Sequence, residues 1–130
     1  MKKPIKKEVV TPRQAMEIAK KMLLDEYKEH FITLQLNARN KLISAEITSV
    51  GTLEASLVHP REVFRPAVIN HSSAIIVLHN HPSGETEPSK EDLKVTERLK
   101  KAGEILGIEI LDHIIFSREK FTSLKATMQL

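Results

Sequence analysis

Apolar and polar positions follow two rhythms along the chain, and each change of rhythm marks an element. The first rhythm is helical. In TPRQAMEIAKKMLLDEYKE, Ala15, Ile18, Ala19, Met22 and Leu23 recur three and four apart, so one face is apolar. Thr11 suits the N-cap, Pro12 the first helical position and Gln14 the far end of a capping box. FITLQL then predicts a strand and NARNK a turn. LISAEITSV predicts a second strand, with Ile43, Ala45 and Ile47 on one face and Ser44, Glu46 and Thr48 on the other; Gly51 closes it. HPREVFRPAVINH predicts a helix striped by Val63, Phe64, Ala67 and Val68. Pro66 disturbs its register, because proline is tolerated mainly in a first turn.

SAIIVLH predicts a third strand that is apolar on both faces, as a central strand covered by helices should be. After a loop rich in proline and glycine, SKEDLKVTERLKKAGEILG predicts a long helix. Leu93, Thr96, Leu99, Gly103 and Leu106 line one face, and Gly107 is its stop. IEILDHIIF predicts a fourth strand, and the last dozen residues a small strand or helical turn. Helices and strands interleave around one sheet, so the class is α/β or α+β. With 130 residues the chain is expected to be one domain over residues 11–130, behind a basic tail over residues 1–10.

Composition narrows the function classes. The chain is 41% hydrophobic and 28% charged, the balance of an ordinary globular protein. The longest apolar run, AIIVL, is far too short to cross a bilayer, and MKKPIKKEVV lacks the apolar region of a secretory signal. A cytoplasmic location is therefore expected, with no membrane partner. The net charge is +3. Lys2, Lys3, Lys6 and Lys7 cluster in the tail, whereas the other basic residues are interleaved with acidic ones. DNA binding needs clustered cations, so the pattern supports a weak attraction to anions and no dedicated DNA surface. The absence of cysteine excludes disulfides, iron–sulfur clusters, thiolate zinc sites and cysteine nucleophiles. A tightly held metal must use histidine and carboxylate ligands.

The segment HNHPSGETEPSKED offers such a set. His79 and His81 are one residue apart, so in extended chain they fall on the same side. Ser89 opens the long helix and Asp92 lies one turn inside it, giving H-x-H-x7-S-x2-D. Two imidazoles and a carboxylate would leave a fourth tetrahedral position for a water, as catalytic zinc sites do. A general base is also needed, and Glu46 in mid-strand is the strongest candidate, ahead of Glu54 and Glu62. Plainer readings stand beside these. A histidine pair alone is an ordinary loop feature, Ser89 and Asp92 also spell a capping box, and Glu46 could pair with a surface lysine. His113 reads as a core histidine, Ser83 as a turn residue, and Asn80 and Pro82 as loop-shaping residues; Arg61 is an exposed charge or part of a substrate surface. A zinc deaminase would need cysteine ligands that the chain lacks.

EITSVGT followed by HNHPSGETEPSKED resembles the JAMM (JAB/MPN) zinc metalloprotease motif. GTLEASLVHPREVF, HNHPSG and LGIEILDHIIFS together resemble the RadC-like branch of that superfamily, and the likeness runs from about Thr11 to the C-terminus. The stretch before Thr11 has no helix-hairpin-helix pattern, which many RadC-like proteins carry. The resemblance implies a cytidine-deaminase-like architecture, a curved mixed sheet flanked by helices. It implies one zinc ion per chain held by His79, His81 and Asp92, with Glu46 activating its water and Ser89 steadying the oxyanion. The implied activity is hydrolysis of a peptide or isopeptide bond in a protein substrate. The alternative is a nucleic-acid-associated accessory module, of the DNA-repair type, that keeps the metal fold and binds through its basic tail.

Overall fold

The computed structural model of the chain describes residues 7–51 and 58–130; Lys2, Lys3, Lys6 and Glu54 lie outside the described residues. The elements follow in the order α1 (Pro12–Lys20), β1 (His30–Leu36), β2 (Leu42–Val50), α2 (Pro60–Ile69), β3 (Ala74–Asn80), α3 (Lys90–Leu106), β4 (Glu109–Ser117) and β5 (Lys120–Ser123). The strands form one mixed sheet in the order β2-β1-β3-β4-β5. β3 and β4 run parallel, and every other neighbouring pair is antiparallel. β3 is the middle strand and is buried along its whole length, which accounts for its apolar residues on both faces.

Each face of the sheet carries its own core. On one, Met16 and Ala19 of α1 meet Ile32, Leu34, Ile76, Leu78 and Ile114. On the other, Phe64 of α2 with Val95 and Leu99 of α3 meets Phe31, Ile75, Val77 and Ile110. Fully burying one such Leu or Phe side chain contributes about 1.5–3 kcal/mol, so both helical layers are firmly seated. Among the described residues, no helix is long and apolar enough to cross a membrane.

Three helices depart from their sequence patterns, each for a local reason. α1 stops at Lys20, although its apolar spacing continues. Met22 and Leu23 instead bond back to the carbonyls of Ala19 and Lys20 at 3.0 and 3.3 Å, tightening the last turn, and still pack on the core. α2 accepts Pro66 inside it, because the Glu62 carbonyl left without a donor belongs to an exposed residue. Val68, expected in its stripe, is 53% exposed. In α3 the buried line is Asp92, Val95, Thr96, Leu99 and Gly103 rather than one running from Leu93 to Leu106. Leu93 is only half-buried and Leu106 is exposed. The helix is rotated because a carboxylate, polar by composition, belongs to its inner face.

Two glycines of this region have specific tasks. Gly107 ends α3 in the left-handed conformation, φ 73°, that glycine adopts without strain. Gly103 lets the helix press against the strand that follows, since a Cβ there would lie 2.4 Å from the Ile108 carbonyl oxygen. The segment β3–α3–β4 is thus a tightly packed crossover between parallel strands. In sheets of this kind, ligands gather at the carboxyl ends of the strands. His79 stands at that end of β3.

Candidate metal centre

β3 carries His79 to the edge of the buried region, and the His81 amide still donates to the Phe116 carbonyl at 2.9 Å. Both histidines are thereby fixed to the end of the parallel pair. The loop then reverses, and α3 starts with a full capping box. The Asp92 amide donates to Ser89 Oγ at 3.1 Å, and Asp92 Oδ2 accepts from the Ser89 amide at 2.7 Å and its hydroxyl at 2.9 Å. The other oxygen, Oδ1, accepts from His79 Nδ1 at 2.9 Å, and Oδ2 lies 3.2 Å from His81 Nε2. The Asp92 side chain has no exposed surface. The loop therefore brings His79, His81, Ser89 and Asp92 to one point.

The hydrogen-bond pattern around the rings decides which nitrogens carry lone pairs. A carboxylate has no proton to give, so His79 Nδ1 is the donor to Asp92 and Nε2 is left bare. That Nε2 is buried and has no hydrogen-bond partner. His81 Nδ1 donates to the Glu85 carbonyl at 2.8 Å, which leaves its Nε2 bare in the neutral ring. A bare nitrogen and a carboxylate oxygen facing each other at 3.2 Å repel unless a cation, proton or metal, lies between them. Donors to one zinc ion at ~2.0–2.1 Å in tetrahedral array sit roughly 3.3 Å apart, close to this spacing. A ring whose far nitrogen is tied to a carbonyl or carboxylate is the usual arrangement for a metal-binding histidine. The donor chemistry fits a divalent ion of the zinc type: Asp92 Oδ2 and His81 Nε2 are spaced for one ion, while His79 meets Asp92 through Nδ1, so its bare Nε2 must turn toward them to join it.

Electrostatics point the same way. Burial works to raise the Asp92 carboxyl, but its hydrogen bonds to His79, His81 and the Ser89 amide hold it well below the usual carboxylate range. The hydrogen bond to Asp92 pushes His81 up against a smaller opposing effect of burial. Asp92 is thus an anion held in place for a cation.

Two further carboxylates stand nearby. Glu46 pairs across the sheet with Thr33, which pairs with Val77 of β3. Because partners in register share a face and residues two apart share a face, Glu46 is on the His79 side, two strands and about 10 Å across. It is half-buried and accepts from the Ser44 hydroxyl at 3.3 Å. Glu29 was not foreseen. It immediately precedes β1, and its Oε1 lies 3.9 Å from His79 Nε2. Glu29, His79 and His81 can each offer a ligand atom within 4.8 Å of one another.

A family model described as the RadC-like JAB domain matches residues 9–129. The chain belongs to the RadC-like JAB domain family. Its relatives include UPF0758 proteins of Methanosarcina acetivorans, 44% identical over 120 residues, and of Staphylococcus haemolyticus, 49% identical over 116. A UPF0758 protein of Desulforamulus reducens is 47% identical over 115 residues. These alignments cover 88–92% of this chain and 51–52% of the relatives, so the chain spans about half their length.

The remaining candidates find places around the centre of this RadC-like JAB domain or away from it. His113 is wholly buried, on the same sheet face as Val77, which it pairs. Its Nδ1 meets the Thr96 hydroxyl, which donates to the Asp92 carbonyl at 2.8 Å, so it braces the first turn of α3 from behind. Burial pushes it down to about 4, so it is a neutral core histidine near neutral pH. Asn80 does more than shape the loop. Its side chain accepts from the His30 amide at 2.6 Å and donates to the Lys28 carbonyl at 2.9 Å, clamping the entry of β1 to the exit of β3. Ser83 accepts from the Glu85 amide at 3.4 Å, as a turn residue does, and Pro82 is exposed in the same loop. Arg61 and Glu62 face solvent on α2, 3.8 Å from each other, and Glu62 has no part in the centre. Of the basic tail, Lys7 is the described lysine.

Proposed function

We propose that this RadC-like JAB domain is a zinc-dependent peptidase or isopeptidase, hydrolysing an amide bond in a protein substrate. His79, His81 and Asp92 hold one zinc ion per chain. The reading is supported by one observation above all: the buried Nε2 of His79, which has no hydrogen-bond partner, stands beside His81, whose Nε2 faces an Asp92 carboxylate oxygen at 3.2 Å. Zinc, when bound there, polarises the scissile carbonyl and lowers the pKa of a water toward neutrality.

The other steps fall to the chain. Glu29, whose Oε1 lies 3.9 Å from His79 Nε2, takes a proton from the attacking water as the carbon–oxygen bond forms and returns it to the amine as the carbon–nitrogen bond breaks. Glu46, two strands away, is beyond direct reach of that water. Ser89, exposed at the start of α3, turns its hydroxyl proton from Asp92 to the carbonyl oxygen of the tetrahedral intermediate. The Ser89 amide still holds Asp92 during that exchange. β2 is an edge strand, and an extended peptide adding to it would be carried past Glu46.

Metal analysis of the purified protein beside a His79→Ala/His81→Ala variant tests the site. About one zinc per chain in the parent and none in the variant is expected, and equal metal in both would end this reading. Glu29→Gln should keep zinc and slow hydrolysis of a peptide or isopeptide substrate by roughly 10²–10⁴-fold, whereas Glu46→Gln should change it little. Unchanged hydrolysis in Glu29→Gln would remove Glu29 as the base.

A further inference from the structure

We propose that the groove between α2 and the end of α3 is a docking site for an acidic amphipathic helix of a partner protein. Val68, Ile69, Ile105 and Leu106 are large apolar side chains left 49–87% exposed, and all four lie at the C-terminal ends of these two helices. Single exposed apolar residues are ordinary, whereas a contiguous group marks a surface that meets something. A cavity of about 400 Å³ lies there, with buried Phe64 at its base and Val68, Ile69 and Leu106 around it. Arg61 and Arg65, both exposed, form its rim.

The groove is formed in advance of any partner. The Phe64 ring packs against Gly103 of α3 so closely that a Cβ there would lie 3.3 Å from the ring edge. Arg61, Arg65 and Val68 follow at steps of four and three along α2, so they share a face. That face adjoins the buried one of Val63, Phe64 and Ala67, and Phe64 belongs to both. Val68 is thus exposed because it lines a second apolar surface of the same helix. From Pro60 to Ile69 the surface runs roughly 14 Å, at ~1.5 Å per residue, about two and a half helical turns.

Charge and shape select the occupant. Among the described residues, no acidic side chain lines the groove and Arg65 has no ion-pair partner. Arg61 meets Glu62 at 3.8 Å, but both side chains are mostly exposed, so that pairing holds it weakly. A second copy docking groove to groove across a two-fold axis would bring the arginines of both copies together. A bilayer would reach the exposed tips but not Phe64 at the base. An amphipathic helix meets both conditions: apolar residues three and four apart enter the groove, and Asp or Glu on its flanks meets Arg61 and Arg65. Leu106 and Asp92 lie toward opposite ends of α3, roughly 21 Å apart at ~1.5 Å per residue, so the partner is held clear of the metal centre.

A fluorescent amphipathic peptide, with leucine at helical spacing on one face and glutamate on its flanks, tests this by anisotropy with the full chain. Arg61→Glu/Arg65→Glu should weaken its binding about tenfold or more, and Val68→Ser/Leu106→Ser by a similar factor. All four side chains are exposed, so urea unfolding of both variants should match the parent. A peptide with lysine in place of glutamate should prefer Arg61→Glu/Arg65→Glu to the parent, a reversal that a merely structural role of the arginines would not produce. If the parent ignores the glutamate peptide, or binds the lysine peptide as well, the proposal fails. A parent that sediments as a dimer, and a Val68→Ser/Leu106→Ser variant that sediments as a monomer, would make a second copy the occupant. Retention of the parent but not that variant on phosphatidylglycerol vesicles, with no peptide binding, would make it a membrane. Either result overturns the proposal.

Discussion

At the start of α1, the Gln14 amide donates to Thr11 Oγ1 at 3.2 Å and Gln14 Oε1 accepts from the Thr11 amide at 3.0 Å. At the start of α3, Ser89 and Asp92 make the same reciprocal pair. The two boxes differ in what the third residue has left over. Gln14 spends its carbonyl oxygen on the amides of Thr11 and Val10, at an exposed position. Asp92 caps with one oxygen and has a second, and burial beneath His79 gives that second oxygen an imidazole to hold. A capping box is a local solution to unpaired helix amides. It becomes part of a metal centre only where the acid is ionised, enclosed and faced by other donors.

The largest effect should come from exchanging the acids for their neutral counterparts. Asp92→Asn is expected to weaken zinc binding by on the order of a hundredfold or more, read by chelator competition, whereas Gln14→Ala should leave it unchanged. Equal loss in both variants would make the second box no more than a cap. Without metal, Asp92→Ala strands two imidazoles that were bonded to a buried anion, and about 3–5 kcal/mol of stability should go with it.

The two boxes should also part company with pH, because the titrating groups stand around the second. Burial holds His113 down to about 4, against 6.5 when unfolded, so in the metal-free protein the unfolded chain takes up a proton that the folded chain refuses. Its contribution is present above about pH 6.5 and is lost as pH falls toward 4, on the order of 3 kcal/mol. His81 has the opposite sign: its folded value is raised by Asp92, so its contribution is full below pH 6.5 and declines as pH rises through the folded value. Stability measured by urea unfolding should therefore peak near pH 6.5 and fall on the acid side. His113→Gln should flatten the acid limb, and Gln14→Ala should run parallel to the parent. An acid limb that survives His113→Gln would place the titration elsewhere.

The smallest effects test what the boxes share. Thr11→Ala and Ser89→Ala should each cost about 1 kcal/mol of unfolding free energy, as the loss of an N-cap hydroxyl does. A much larger loss for Ser89→Ala would mean that its bond to Asp92, not the cap, matters most to stability.

What was legible in the sequence follows from how far apart the partners lie along the chain. His79, His81, Ser89 and Asp92 fall within one strand end, one turn and one helix start, so local spacing was enough to bring them together. The strands were legible from alternation, and the middle strand from its lack of alternation. The buried face of α3 was misjudged because pattern reading treats Asp92 as a solvent residue, and the correct line runs through it. Glu29 was invisible, since nothing near it in sequence resembles a site. Its place depends on the antiparallel register of β1 against β3, some fifty residues away, which residue spacing does not encode. Glu46 was singled out through its mid-strand position and the family resemblance, and the registers put it on the His79 face but two strands away.

The close approach at Gly103 has a mechanical consequence. α3 is a stiff rod with Asp92 near one end, Leu99 buried at its middle and Gly103 near the other. At ~1.5 Å per residue, the arm from Leu99 to Asp92 is roughly 10 Å and the arm to Gly103 roughly 6 Å. A methyl group at Gly103 would have to retreat from the Ile108 oxygen, now 2.4 Å away, and the lever would return that retreat, enlarged, to the carboxylate. The contacts of 2.9 and 3.2 Å at Asp92 have no slack for it. One hydrogen atom in place of a methyl, at the far end of the helix, is what keeps the rod aimed.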